Sequence, residues 1–299
     1  MYVKEHCEPK DNQKINENDE EYSCIPGKLL LQIAKLLNDK KKSSINMDQE
    51  FKGLQEDISK EIHKYSKCST EACWSVYDLI KNNLSSNDFS NLKDKFRPFL
   101  PDEWYKEPNK WLSTIDINKV LRQYEKNYPR FKYTGATPID FNLKSENNVC
   151  IVNELCKIDL KEVMDDKKEC IGMVFNTDPH NKSGQHWFSM FIDIKGKNRK
   201  GVPTIYYFDS VVNEPSQNIF DLIKLLQEQG KKRGIHFEVL FNDIRHQYKD
   251  TECGVYSIHF IVSMLKGGRF EEYINNKIKD KEMEKFRKIF FIPIKDHIK

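Results

Sequence analysis

Three short apolar runs, 170–176 (CIGMVFN), 187–194 (WFSMFIDI) and 204–208 (TIYYF), constrain this chain more than any other feature. Each is rich in β-branched and aromatic residues and too short for a buried helix, so each reads as a strand. The polar, glycine-bearing stretch 195–200 (KGKNRK) between the second and third suits a hairpin loop. A fourth strand is predicted at 236–241. Helical spacing surrounds the set, from 111 to about 128, over 217–229, from a start near Cys253 and in a charged tail beyond about Lys279. Strands and helices in this arrangement predict an α+β fold built on a sheet core.

The first hundred residues have a different texture. Residues 26–38 (PGKLLLQIAKLLN) space Leu and Ile three and four apart, and 47–65 and 72–84 do so less cleanly. Residues 1–20 lack apolar periodicity and are rich in Asn, Lys and Glu, which predicts a solvated, disordered tail. A stretch with three prolines, 96–108 (FRPFLPDEWYKEP), suits a boundary. The expected organisation is a tail over 1–20, an N-terminal helical lobe over 21–100 and a second domain over 101–299.

Composition excludes some functions. The 49 Lys and Arg nearly cancel the 46 Asp and Glu, so charge alone does not make this a nucleic-acid binder. No run approaches the roughly 20 apolar residues of a membrane-spanning helix, and the N-terminus is polar. The eight cysteines are scattered, without the dense spacing of a small disulfide scaffold, so a reducing compartment is expected. Cys68/Cys73 and Cys150/Cys156 are spaced more widely than a zinc knuckle, and no histidine pair answers them. Neither a metal nor a cofactor is expected.

One combination of residues carries chemistry. Cys253 lies in DTECGVY, where a polar loop meets the apolar helical run 255–265, and the unpaired N–H groups of a helix start favour a thiolate. Gly254 allows a substrate backbone to approach closely. His186, in GQHW, opens one predicted strand, and Asp209, in YYFDS, closes the next. If the two strands pair antiparallel through the 195–200 loop, His186 and Asp209 become neighbours. Gln247, in the spacing Gln-x5-Cys-Gly, is placed to donate to an oxyanion beside the Cys253 N–H. Singly, each residue is more often a packed thiol, a surface histidine or a turn aspartate. Together they supply the nucleophile, base, orienting acid and oxyanion donor of a thiol protease. His246 and His259 are rival bases close to Cys253 in sequence, but neither has an acid at a strand end.

HW, an apolar strand, a strand ending in FDS, then Gln-x5-Cys-Gly resembles the ubiquitin-like-protein proteases, the group of the SUMO-processing enzymes and the adenovirus protease. The segment KWLSTIDIN, 110–118, also resembles that family's opening helix, with Ser113-Thr114 in place of its Asn-Asp pair. The resemblance implies a papain-like or adenain-type core, a central mixed sheet flanked by helices, with His186, Asp209, Gln247 and Cys253 catalytic. It implies further that Trp111 and Trp187 flank a narrow slot. Such a slot admits only glycine beside the scissile bond, because two indoles exclude a Cβ.

Within the family, IRHQYKDTECGVYS (244–257), GMVFNTD (172–178) and KFRKIF (285–290) are similar to processing proteases of large cytoplasmic DNA viruses, notably the African swine fever virus enzyme and thiol proteases of giant amoebal viruses. The implied substrate is a viral core polyprotein cut after a Gly-Gly-Xaa type sequence during virion maturation, in the virion and host cytoplasm. Some of those relatives carry Asn at the position of Asp209. Two alternatives share the residues: a protease removing ubiquitin or SUMO-like modifiers, and a catalytically inactive binding module. The N-terminal lobe is open to docking substrate, contacting nucleic acid inside the particle or stabilising the fold, and the sequence sets no oligomeric state.

Overall fold

The computed structural model describes residues 7–10, 23–66 and 68–293. The chain divides into two compact units, residues 1–100 with 288–299, and residues 101–287. The division at Leu100 and Pro101 falls inside the proline-bearing stretch. Residues 288–293, expected with the second domain, group with the first unit.

In the first unit, helix α1 (Gly27–Lys41) buries Leu29, Leu30, Ile33, Ala34 and Leu37, and helix α2 (Phe51–Ser66) buries Leu54, Ile58 and Ile62. These stripes, spaced at three and four, close over Trp74, Ile80, Leu92 and Phe96 in one core. The helix predicted over 72–84 is broken into α3 (Glu71–Trp74) and α4 (Asp78–Asn83), because the Ser75 hydroxyl donates back to the Ala72 carbonyl and Tyr77 is extended. Helix α5 (Ser86–Asp94) follows, capped by the Ser85 hydroxyl on the Asp88 N–H. Most of the predicted 1–20 tail lies outside the described residues. Within it, Cys7 bridges to Phe96 and forms a disulfide with Cys24.

The cysteine pairs weighed as metal ligands are disulfides instead, Cys68–Cys73 and Cys150–Cys156, with Cα atoms 5.5 and 6.3 Å apart. Cys170 and Cys253 are the free thiols.

The second unit holds a five-stranded sheet of β1 (Phe131–Pro138), β2 (Cys170–Asn176), β3 (Trp187–Asp193), β4 (Thr204–Phe208) and β5 (Glu238–Phe241), ordered as numbered. The outer pairs are parallel and the inner pairs antiparallel, so the sheet is mixed and the fold α+β. Strand β1 was not legible as a strand. Gly135 sits in its middle at φ +93°, where the register shifts between Tyr133 and Ala136, and this bulge interrupts the alternation.

The three central strands are buried on both faces. One face, through Met173, Phe175, Phe188, Met190 and Tyr207, packs on α8 (Leu160–Asp165) and α9 (Gln217–Lys231). The other carries α10 (Cys253–Leu265), which crosses β3 and is flanked by α6 (Thr114–Asn127). Phe260 of α10 stacks on Phe208 at 4.9 Å. Helix α7 (Asn153–Cys156) follows β1, and α11 (Phe270–Asn275) and α12 (Asp280–Phe290) follow α10.

The loop joining β3 to β4 turns at Gly196 and is held by the Asp193 carboxylate, which accepts from the Asn198 N–H at 2.7 Å. The Asn198 amide in turn donates to the Met264 and Gly268 carbonyls at the end of α10. Among the described residues, no helix is long and apolar enough to cross a membrane.

Candidate active site

The antiparallel register that pairs Ser189 with Phe208 sets the start of β3 beside the end of β4. There the His186 Nε2 and the Asp209 Oδ1 lie 2.8 Å apart. Each is fixed by its own loop. The His186 carbonyl accepts from the Thr177 N–H, and the buried Asn176 side chain accepts from the N–H groups of Asp178 and Gln185. Gly184 adopts φ +87°, and a Cβ there would meet the Asn176 amide at 2.7 Å, so only glycine lets the loop close onto Asn176 ahead of the histidine. On the acid side, the Asn242 amide grips the Asp209 backbone twice, accepting from its N–H at 2.9 Å and donating to its carbonyl at 2.8 Å.

Asp209 is fully buried. Its Oδ1 also accepts from the Val211 N–H, while Oδ2 makes no hydrogen bond among the described residues. The His186 ring also has the Cys253 side chain as a hydrogen-bonding neighbour. Burial alone would lower the imidazole pKa, but the hydrogen bond to Asp209 and then the contact with Cys253 outweigh it and raise it to about 9. An imidazole that contacts both a carboxylate and a thiol can accept the thiol's proton while the carboxylate stabilises the charge it gains.

Cys253 opens α10 and is buried, so its sulfur sits at the positive end of a thirteen-residue helix. The loop before it is braced from α12, where the Asp280 carboxylate accepts from the N–H groups of Tyr248 and Lys249 and from the Tyr256 hydroxyl. Gln247 is buried in that loop. Its Oε1 accepts from the Ser210 hydroxyl at 2.6 Å, and its Nε2 donates to the Lys249 carbonyl at 2.6 Å. A carbonyl can only accept, so the amide orientation is fixed and, among the described residues, one Nε2 proton is left uncommitted.

Trp187 is buried, and its indole N–H donates to the Leu112 carbonyl at 2.9 Å. A Cβ added to Gly254 would meet Leu112 at 3.0 Å and Trp187 at 3.4 Å, which places both against the first turn of the nucleophile helix. Trp111 is 41% exposed, so it is a surface residue beside Leu112 and not part of the core. Ser113, where the family pattern has Asn, caps α6: its hydroxyl accepts from the Asp116 N–H, and the Asp116 carboxylate accepts from the Ser113 N–H.

Neither rival histidine has a carboxylate partner among the described residues. His246 Nε2 faces the Ile274 carbonyl, and burial lowers its pKa. His259 pairs with the Tyr273 hydroxyl, and burial, then Lys266 and His246, bring its pKa down to about 4. Sequence reasoning missed Asn176 and Asn242, whose one visible signal is an amide at or just past a strand end.

Residues 130–299 match the Ulp1 protease family, C-terminal catalytic domain. A protein of Acanthamoeba polyphaga mimivirus named as a thiol protease is 37% identical over 183 residues, 60% of this chain and 56% of that one; the chain thus spans little more than half of that relative's length. The SUMO-1 cysteine protease of African swine fever virus is 28% identical over 257 residues, 80% of this chain and 89% of that one. The crystal structure of an African swine fever virus protease superposes with a TM-score of 0.66 at 21% identity, covering 96% of this chain and 95% of that one, and shares the fold. The chain belongs to the Ulp1 protease family of cysteine-type peptidases and carries that family's C-terminal catalytic domain.

Proposed function

We propose that the protein is a cysteine endopeptidase that cuts after Gly-Gly-Xaa type sequences in a viral core polyprotein during virion maturation. The observation that carries this reading is the His186 ring, with Asp209 2.8 Å from Nε2 and Cys253 as its other side-chain neighbour. With Nε2 committed to Asp209, Nδ1 is the nitrogen that exchanges a proton with the thiol. His186 takes the Cys253 proton, and the thiolate attacks the scissile carbonyl. The Cys253 N–H and the uncommitted Gln247 Nε2 proton hold the oxyanion. The imidazolium then protonates the leaving amine as the C–N bond breaks, which leaves a thioester. Water, deprotonated by His186, attacks the thioester, and the acid product and the thiol are released.

Glycine selectivity is supported by the fixed Trp187 indole against Gly254 and by the exposure of Trp111 next to Leu112. Of the two expected settings, the particle suits the chain in its disulfide form better than the host cytoplasm, since a reducing cytosol opens disulfides.

The test compares wild type with Cys253→Ala and His186→Ala on a Gly-Gly-Xaa peptide and on viral core precursors. Wild-type cleavage by either variant would sink the assignment. A second reading, removal of ubiquitin-like modifiers, is favoured by the name of the African swine fever virus relative, a SUMO-1 cysteine protease. Labelling of Cys253 by a modifier-reactive probe, without precursor cleavage, would establish it. Failure of Cys253 to react with a thiol alkylator near neutral pH would point instead to an inert binding module.

A further inference from the structure

The segment 285–290 carries a buried cation that the mechanism above does not use. Arg287 of α12 is 4% exposed, and its guanidinium carbon lies over the Trp104 ring, 4.5 Å from the centroid. Its Nε donates to both oxygens of the Glu252 carboxylate, at 2.8 and 3.1 Å, and Nη2 donates to Glu252 Oε1 at 3.0 Å. Nη2 also reaches the Thr251 carbonyl at 3.0 Å, and Nη1 reaches the Lys110 carbonyl at 2.7 Å.

These partners lie on two segments far apart in sequence. Glu252, with no exposed surface, is the residue immediately before the nucleophile. Lys110 immediately precedes Trp111, and one residue further on the Leu112 carbonyl takes the indole proton of Trp187. One guanidinium therefore ties the start of the Cys253 helix to the 110–112 segment, and that segment is tied in turn to the residue after His186. A buried ion pair is a weak source of stability, because desolvation offsets most of its attraction. A planar fork making several directed bonds to two separate segments is well suited to fixing the distance between them.

We propose that Arg287 is a positioning residue that sets the spacing between Cys253 and the 110–112 segment, and through it both the turnover and the glycine selectivity of the site. The selectivity part rests on the reading of Trp111 and Trp187 as walls of a glycine slot; the turnover part does not.

The test is Arg287→Lys, which keeps the charge but replaces the fork with an ammonium that cannot span Glu252, Thr251 and Lys110 together. The concentration of competent enzyme is fixed by titrating Cys253 with an irreversible peptide electrophile. Then kcat and KM are measured on a Gly-Gly-Xaa peptide and on the same peptide with one glycine replaced by alanine. The expected result is a fall in kcat per titrated site of roughly tenfold to a hundredfold, the scale of a small misplacement of reacting groups. The preference for glycine over alanine should shrink by about tenfold as the slot loosens. A merely structural role would lower the melting temperature and the titratable fraction but leave kcat per titrated site and the preference at wild-type values, and that outcome overturns the proposal.

If Arg287→Lys does not fold, the double variant Glu252→Gln with Arg287→Met removes both charges together, so that neither is stranded, and is read in the same way. A wild-type enzyme indifferent to alanine would refute the glycine slot. Arg287 would then be judged on kcat per titrated site alone, with an unchanged value overturning it.

Discussion

Replacing Asp209 with Asn isolates what its charge does for His186. The ring pKa is raised from 6.5 to about 9 even though burial pulls it down, and the hydrogen bond to Asp209 is the largest raising contact. A rise of that size corresponds to roughly 3 kcal/mol favouring the imidazolium. In Asp209→Asn, the amide oxygen can still accept from Nε2, so the ring keeps its orientation and tautomer, but the charge is gone. The new NH2 falls where Oδ2, in a fully buried position, has no hydrogen-bond partner among the described residues. Leaving a buried donor unpaired costs about 1–3 kcal/mol of stability.

The sign of the pH effect follows from the raised pKa. The folded value lies above the unfolded one, so the stabilising contribution is complete below about pH 6.5 and is lost as pH rises through about 9. Because the imidazolium protonates the leaving amine, kcat/KM should fall on the alkaline side at the same pKa. In the variant, that alkaline limb should move to lower pH by at least about one unit. Activity at neutral pH should drop by less than about tenfold, since the orienting bond survives. The assay is the pH profile of kcat/KM alongside NMR titration of the His186 ring nitrogens. A limb still at about 9, with the same ring pKa, would refute the idea that Asp209 controls His186 electrostatically.

Four further outcomes are expected. His259, depressed to about 4, titrates below its unfolded value, so its stabilising contribution is present above about pH 6.5 and lost as pH falls toward 4. Urea unfolding at pH 7, 5 and 4 should show a decline of about 3 kcal/mol or less from this group, and His259→Leu should flatten it. Asn242→Ala strips both bonds from the buried Asp209 backbone and should cost about 2–4 kcal/mol by denaturant titration, with reduced kcat. Gly254→Ala should push Leu112 and Trp187 outward by tenths of an ångström, read as a shift in tryptophan fluorescence with a raised KM; an unchanged spectrum and KM would mean the contact is slack. Brief alkylation of the native protein at neutral pH should label Cys253 alone, because burial pushes the Cys170 thiol up to about 12; peptide mapping showing equal labelling of the two would contradict this.

The sequence carried the central sheet well, because β2 and β4 are compact apolar runs bounded by polar loops, and the observed strands have the predicted limits. Strand β1 was hidden by its glycine bulge, and β5 begins at Glu238, two residues later than predicted. The helix pattern over 72–84 could not reveal a break made by one serine hydroxyl. The meeting of His186 and Asp209 was legible, because an antiparallel pair of known hand and loop length leaves little freedom at its open end. The supports around that pair were not. Asn242 and the Glu252 and Arg287 pair act through side-chain bonds across 33 and 35 positions, and buried charges look like surface charges when read along a line.

Helix α10 is gripped at both ends. Glu252 is anchored at its start, and the Asn198 amide holds the Met264 and Gly268 carbonyls at its finish. A rod clamped in this way and buried along its length has no low-energy way to fray or slide. Its amides should exchange with solvent only when the whole unit opens, and the nucleophile should not be lost to partial breathing. In a protein of this design, heat inactivation and global unfolding become one event, so a cleavage assay run through the melting transition doubles as a measurement of folding.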